Sequence, residues 1–105
     1  MGLDYAWEKA MVAVTGMACN PDSINERIAH AFAYSLIRIS PEEHLPDDLR
    51  PLFEDIRAAL TSVAPVGDEG SIAATTRVMS TEEATNVARK IVELYDRICA
   101  AMPSR

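Results

Sequence analysis

The chain has 105 residues, of which 49% are hydrophobic and 25% are charged. This length and composition are typical of one globular domain with its own hydrophobic core, and the composition shows no sign of disorder. The net charge of -6 argues against direct binding to nucleic acid or to an anionic membrane, because both need a basic protein surface. We therefore predict a single domain over residues 1–105, with neither nucleic acid nor a membrane as partner.

Cysteine content and the apolar runs indicate the cellular compartment. Cys19 and Cys99 are too few for a disulfide framework. The amino terminus lacks the basic start of a secretory leader, since Asp4 and Glu8 precede its apolar stretch. No apolar run approaches the roughly 20 residues that span a bilayer. We expect a cytoplasmic protein with reduced thiols.

The first predicted helix covers about residues 4–15. Apolar side chains recur at steps of four and three from Leu3 onwards, which places them on one helix face. Asp4 is the expected N-cap, and Gly16 is the expected end because glycine adopts the left-handed conformation without a Cβ penalty. Trp7 lies on the apolar face, where we expect it either in the core or at a contact between subunits.

The second predicted helix runs from about Asn20 to Ile39, with Asn20 as its cap and Pro21 in its first turn. One narrow sector carries two guanidiniums, an imidazole and a phenol, here called the cationic stripe: Arg27, His30, Tyr34 and Arg38. Because arginine binds carboxylates and phosphates through a fork of donors, this sector is a candidate site for an anionic ligand. The simpler interpretation, which we favour, is a solvated helix face.

The next segment is acidic. Between residues 41 and 55 six carboxylates stand against one base, Arg50, and form what we call the acidic segment: Glu42, Glu43, Asp47, Asp48, Glu54 and Asp55. Ser40 and Glu43 have capping-box spacing, with Pro41 at the first helical position, which predicts a short helix or turn. Most of the acids stand where helix N-termini favour negative charge. The alternative is a patch that contacts a basic protein partner.

A third long helix is predicted over about residues 51–63, with five side chains in the core: Leu52, Phe53, Ile56, Leu60 and Val63. Two glycines and a proline then predict a loop over residues 65–70. Residues 71–79 are rich in β-branched side chains, which is compatible with a strand. Since no partner strand is evident, a short helix capped by Ser71 is favoured.

The last predicted helix begins with a capping box at Ser80 and Glu83 and runs to about Ala101. Its first stripe of apolar residues consists of Ala84, Val87, Ile91, Leu94, Ile98 and Ala101. Its second stripe consists of Ala88, Val92, Tyr95, Cys99 and Met102. The two stripes together are wider than the apolar face that one helix contact needs. This helix is therefore expected either at the centre of the bundle or packed both on its own fold and on another subunit, and we favour a homodimer contact here. The predicted interface residues are Trp7, Ile91, Tyr95, Ile98 and Met102.

The sequence contains no recognisable catalytic or metal-binding motif. Neither His30 nor His44 follows a glutamate by three residues, as a di-iron bundle requires. A nucleophile elbow and a Walker loop are also missing. We therefore expect no enzyme, no cofactor and no metal. The predicted fold is all-α, a compact bundle of four main helices with one or two extra short helical turns.

The favoured function is a small non-enzymatic protein-interaction or regulatory protein that associates with itself through its helices. A second interpretation is an acidic inhibitor or antitoxin-like protein, whose acidic segment occupies the basic nucleic-acid-binding site of a partner. A third is a small anionic-ligand pocket or an enzyme that uses the cationic stripe. The dependence of binding on ionic strength distinguishes the first two interpretations, because only the second predicts a complex that weakens steeply as ionic strength rises.

Overall fold

The computed structural model describes residues 2–65, 67 and 70–103. Six α-helices follow one another: α1 Gly2–Cys19, α2 Ile24–Tyr34, α3 Pro41–His44, α4 Arg50–Leu60, α5 Ser71–Val78 and α6 Thr81–Ala101. Short 3-10 turns cover Leu36–Arg38 and Asp47–Leu49. The described residues contain no β-strand. The predicted all-α fold is confirmed, with α1, α2, α4 and α6 as its four main helices and α3 and α5 as the short additions.

Small side chains allow α1 to lie close to its neighbours. Its buried face consists of Ala6, Ala10 and Ala13, followed by Met17. Because alanine occupies little space, helices α2 and α6 can both pack against this face, and both contact α1. The backbone of α1 can therefore approach both neighbouring helices closely.

Both ends of α1 differ from the predicted range. Asp4, the expected N-cap, lies inside the first turn, and the helix continues past Gly16 to Cys19. Gly16 does not adopt a positive φ, so the conformation that would end the helix is not used. Burial of Met17, on the same face as the alanines, gives the extra turn a reason to form.

The start of α2 is later than predicted. Ser23, and not Asn20, is the N-cap, because its Oγ accepts a hydrogen bond from the Glu26 N–H at 3.2 Å. The Asn20 side chain instead accepts from the Asp22 N–H at 2.8 Å. That contact forms a local turn before the helix, an arrangement that Asn side chains also favour.

The end of α2 is earlier than predicted, at Tyr34. Ser35 is buried, and its hydroxyl donates to the carbonyl oxygen of Lys9 in α1 at 2.6 Å. The chain then continues in a 3-10 turn up to Arg38. Arg38 therefore does not belong to α2.

The predicted capping box at Ser40 and Glu43 is not formed. The Ser40 N–H donates to Nδ1 of His44 at 2.8 Å, and the Ser40 hydroxyl donates to the Glu42 carboxylate at 3.4 Å. An imidazole thus fills the role that a glutamate has in a capping box. Gly2 of α1 lies so close to the Glu43 carbonyl oxygen that a Cβ would not fit between them.

Helix α4 begins one residue before the predicted start and ends at Leu60. Four of its five predicted core side chains are buried, and the fifth, Val63, lies beyond the helix and is half-buried. Within the predicted loop over residues 65–70, three positions, 66, 68 and 69, lie outside the described residues. Gly67 in this loop has a φ of 70°, a conformation that favours glycine.

The ambiguous segment after this loop is helical, so the strand alternative is wrong and the short helix is confirmed as α5. Gly70, rather than Ser71, occupies the cap position.

Helix α6 has the predicted start and end. The Glu83 N–H donates to Ser80 Oγ at 3.0 Å, and the Ser80 N–H donates to the Glu83 carboxylate at 2.8 Å, which completes the capping box. The first stripe is buried from Ala84 to Ile98, whereas Ala101 is exposed. These side chains share one core with α1, α2 and α4. In the part of the chain that the structure describes, no helix is long and apolar enough to cross a membrane.

Candidate functional site

Helices α2 and α5 form the walls of an open groove, and Asn25 fixes the distance between them. Its side-chain amide donates to the carbonyl oxygens of Thr76 at 2.9 Å and Met79 at 2.7 Å. Both carbonyls lie at the end of α5, where a helix leaves such groups without internal partners. A side chain of α2 therefore caps α5.

Polar contacts also tie the other side of α5 to the end of α4. Ser71 Oγ lies 3.1 Å from each of the carbonyl oxygens of Thr61 and Val63. Thr75, which is buried, accepts a hydrogen bond from the Val63 N–H at 3.0 Å. Because α5 buries only small or polar side chains fully, these hydrogen bonds determine where it lies.

The groove has a volume of about 950 Å³. Tyr34 and Ile37 stand at its edge and are 70% and 51% exposed. Because large apolar side chains are exposed beside a concave surface, the groove is a candidate contact site. The α2 wall consists of Ser23, Asn25, Glu26, Ala29, His30, Ala33 and Tyr34. The α5 wall consists of Ser71, Ile72, Ala73, Thr76 and Arg77.

The structure divides the cationic stripe. His30 and Tyr34 line the groove, and their rings meet edge to face with centroids 5.1 Å apart. Arg27 is half-buried and donates through Nη1 to the Met17 carbonyl oxygen at 3.2 Å, at the end of α1. Arg38 is exposed on the 3-10 turn. The two guanidiniums therefore do not face one ligand, and the solvated-face interpretation fits the other three residues but not Arg27.

All six carboxylates of the acidic segment are exposed. Two of them form ion pairs, Asp47 with Arg50 at 2.5 Å and Glu54 with Arg57 at 2.6 Å. Within residues 2–65, 67 and 70–103, no three His, Cys, Asp or Glu side chains are grouped as a metal ion would need. The segment is thus an acidic surface without a metal-binding arrangement among these residues.

Arg50, the base inside the acidic segment, connects α4 to α3. Besides its ion pair, it donates through Nε to the Pro41 carbonyl oxygen at 2.9 Å and through Nη2 to that of Glu42 at 3.1 Å. A cation at the end of a helix satisfies the carbonyl groups that lack internal partners. Arg50 therefore has a structural role here.

The predicted dimer residues fall into two groups. Ile91 and Ile98 are fully buried within one chain, so a second copy does not reach them in this conformation. Three others are half-buried and pack against the core: Trp7, Tyr95 and Met102. In the second stripe, Val92 is 48% exposed. The surface that α6 offers to a partner is therefore narrower than its sequence pattern indicates.

Two side chains of α6 have shifted pKa values. Hydrogen bonding to Ser80, mainly to its backbone, lowers the pKa of the Glu83 carboxyl below its ordinary value. The neighbouring Cys99 side chain, one turn further along, and partial desolvation raise the pKa of the Tyr95 hydroxyl. Both shifts arise from contacts within α6, and neither residue lines the groove.

Ala29, Ala33 and Ile37 are among the groove residues that no functional motif singled out. Ala29 and Ala33 lie one turn apart on α2, next to the row that carries His30 and Tyr34, and Ile37 lies on the 3-10 turn that follows. Such a row of small and apolar side chains is also what a buried helix face presents. Only the structure shows that it lies beside a groove, because that depends on where α5 packs.

The groove offers a concave surface with large side chains exposed at its edge. A general base needs a second group that orients it, as a carboxylate orients a histidine. Among the described residues, no carboxylate or hydroxyl forms a hydrogen bond to the His30 ring. Comparison of the chain with protein-family models, with curated proteins and with solved structures finds no match.

Proposed function

We propose that this chain is a small, non-enzymatic protein-interaction or regulatory protein of the cytoplasm, which places the groove between α2 and α5 against another protein surface. The observation that carries the proposal is the exposure of Tyr34 and Ile37 at the edge of a groove of about 950 Å³. Tyrosine is enriched among the side chains that dominate binding energy at interfaces. Removal of such a surface from water is favourable in proportion to its apolar area.

We also propose that the protein forms a homodimer. Two of its surfaces are candidates for the contact between the copies. The second stripe of α6 presents Val92, flanked by half-buried neighbours. The groove presents two larger exposed side chains, Tyr34 and Ile37, next to a concavity that can receive a partner's side chain. We favour the groove because interface energy concentrates where a large side chain enters a pocket.

The proposal is tested by photo-crosslinking in the cell that produces the protein. A benzophenone amino acid replaces Tyr34, and the matched control replaces Val12, which is 49% exposed on α1 and does not line the groove. We expect covalent adducts to protein from position 34 and few from position 12. Failure of position 34 to form any protein adduct would contradict the proposal, as would equal labelling from both positions.

An acidic inhibitor of a basic partner is the second candidate function. The observation that favours it is the exposure of all six carboxylates of the acidic segment. Two of them, Asp47 and Glu54, also form ion pairs with neighbouring arginines of the same chain. A complex made through these groups would lose affinity steeply as salt rises, because ions screen exposed charges over about 10 Å at 0.1 M. A partner that co-purifies with the chain at low salt without crosslinking, and dissociates in 0.5 M salt, would favour this second function over contact through the groove.

A further inference from the structure

The side chain of His44 connects the short helix α3 to the start of α1. The Ser40 N–H donates to His44 Nδ1 at 2.8 Å, and the imidazole ring lies against the Tyr5 ring with the centroids 4.5 Å apart. At Gly2 the backbone of α1 approaches the Glu43 carbonyl oxygen so closely that no Cβ would fit. A half-buried imidazole therefore lies at a close contact between two helices.

The hydrogen bond from Ser40 determines the protonation state of this ring. Nδ1 accepts a hydrogen bond only when it carries no proton, so the neutral ring holds its proton on Nε2. An imidazolium carries a proton on both nitrogens and accepts no hydrogen bond. It would place one donor against another over the 2.8 Å between Ser40 N and Nδ1. The contact with Ser40 therefore exists only while His44 is neutral.

Charged groups around His44 favour a proton on the ring, but none of them replaces the contact with Ser40. Helix α3 packs against α1 and α4. The ionisable side chains at the adjoining ends of these segments are Asp4, Tyr5, Glu8, Lys9, Glu42, Glu43, Asp47 and Arg50. No residue that the structure describes forms an ion pair with His44.

Two of these groups determine what an imidazolium would contact. Lys9 Nζ lies 5.1 Å from the centroid of the Tyr5 ring, so a charged His44 would bring a second cation to the same ring. Glu42 and Glu43 are exposed beside His44 in α3. A charged ring that turns away from Ser40 and Tyr5 can therefore donate to a carboxylate, which forms a stronger hydrogen bond than a neutral acceptor.

We propose that His44 is a pH-sensitive latch, whose neutral ring holds α3 on α1 and whose protonation releases the turn at Ser40. Histidine is the side chain whose charge ordinarily changes between about pH 5 and pH 8. The latch is therefore closed at the alkaline end of this range and opens as the pH falls through it. Because Glu42 and Glu43 belong to the acidic segment, the position of two of its carboxylates changes with pH. This inference does not depend on the groove.

Amide exchange in the unmodified chain tests the latch. After correction for the intrinsic pH dependence of exchange, the protection of the Ser40 N–H should fall about fivefold between about pH 8 and about pH 5, as expected for the loss of one hydrogen bond. The internal control is the Ser80 N–H, which donates to the Glu83 carboxylate at 2.8 Å. Hydrogen bonding to Ser80 lowers the pKa of that carboxyl, so this acceptor stays ionised and the protection of Ser80 should stay constant.

Two glutamine variants assign the effect to one ring. His44→Gln supplies an amide oxygen that can accept from the Ser40 N–H at either pH, so we expect protection of Ser40 that does not change with pH. His30→Gln removes the histidine that lines the groove, and it should keep the pH dependence of the unmodified chain. Circular dichroism verifies that both variants are folded.

Three results would overturn the inference. The first is a proton on Nδ1 of the neutral His44 ring, which nitrogen NMR of the unmodified chain detects at about pH 8. The second is protection of the Ser40 N–H that does not fall over the range. The third is an equal fall in the His44→Gln variant, which would assign the effect to groups other than this imidazole.

Discussion

Arg27 differs from the other members of the cationic stripe because its guanidinium turns inward. Nη1 donates to the Met17 carbonyl oxygen, while Nε is buried and has no hydrogen-bond partner among the residues that the structure describes. The sequence pattern places Arg27 on one side of a helix, but the decisive contact is with α1, ten residues earlier in the chain. Periodicity along one helix cannot predict which neighbouring helix end lies within reach of a long side chain.

Replacement of the two arginines should therefore have unequal effects. We expect Arg27→Gln to lower the free energy of unfolding by about 1 kcal/mol, because a charged donor at a helix end is lost. Arg38→Gln, at an exposed position, should change it by less than about 0.5 kcal/mol. Urea unfolding followed by circular dichroism measures both. Equal effects would mean that the contact with Met17 does not stabilise the fold.

At the scale of elements, the start of a helix was predicted best where only one nearby residue is suited to be its N-cap. Ser80 and Glu83 form their box as the spacing predicts. Before α2, both Asn20 and Ser23 are good caps, and the choice depends on the path of the chain after α1. The four long helices followed from apolar periodicity, whereas α5 did not, because polar contacts with α2 and α4 hold it in place.

The two Ser-x-x-Glu segments offer a matched test of capping. Ser80→Ala should lower the free energy of unfolding by about 1 kcal/mol, since Ser80 Oγ accepts from the Glu83 N–H. Ser40→Ala should cost less than about 0.5 kcal/mol, since the Ser40 side chain caps no backbone N–H and His44 holds the backbone of this turn. Thermal or urea unfolding distinguishes the two variants. A larger loss at position 40 would show that the hydroxyl caps α3 after all.

Helix α5 should depend on Asn25. Asn25→Ala removes two hydrogen bonds to the end of α5, and we expect a loss of about 1–3 kcal/mol together with faster amide exchange in α5 than in α6. Asn86→Ala is the control, because Asn86 is exposed on α6 and accepts one hydrogen bond from Arg89. Unchanged exchange in α5 after loss of Asn25 would contradict the capping role.

At the scale of the whole molecule, the burial of apolar side chains on α6 changes the expectation, drawn from its two stripes, that this helix needs a partner chain. The first stripe is enclosed by α1, α2 and α4, so its width does not by itself require a partner. Exposed large apolar side chains instead include Tyr34 on α2 and Ile37 on the turn that follows it, besides Val12, Val78 and Val92 elsewhere. Periodicity predicts that a helix has two apolar sides, but it does not predict which side the other helices cover, since that depends on their packing order.

Sedimentation equilibrium of the purified chain tests most directly whether the groove on α2 is a contact between two copies. At micromolar concentration we expect twice the 11.5 kDa chain mass. Tyr34→Glu should return the monomer mass, because a carboxylate would enter the apolar groove of the second copy. The control Val92→Glu should remain dimeric. A monomeric unmodified chain, or a dimer that Val92→Glu dissociates and Tyr34→Glu does not, would contradict the account.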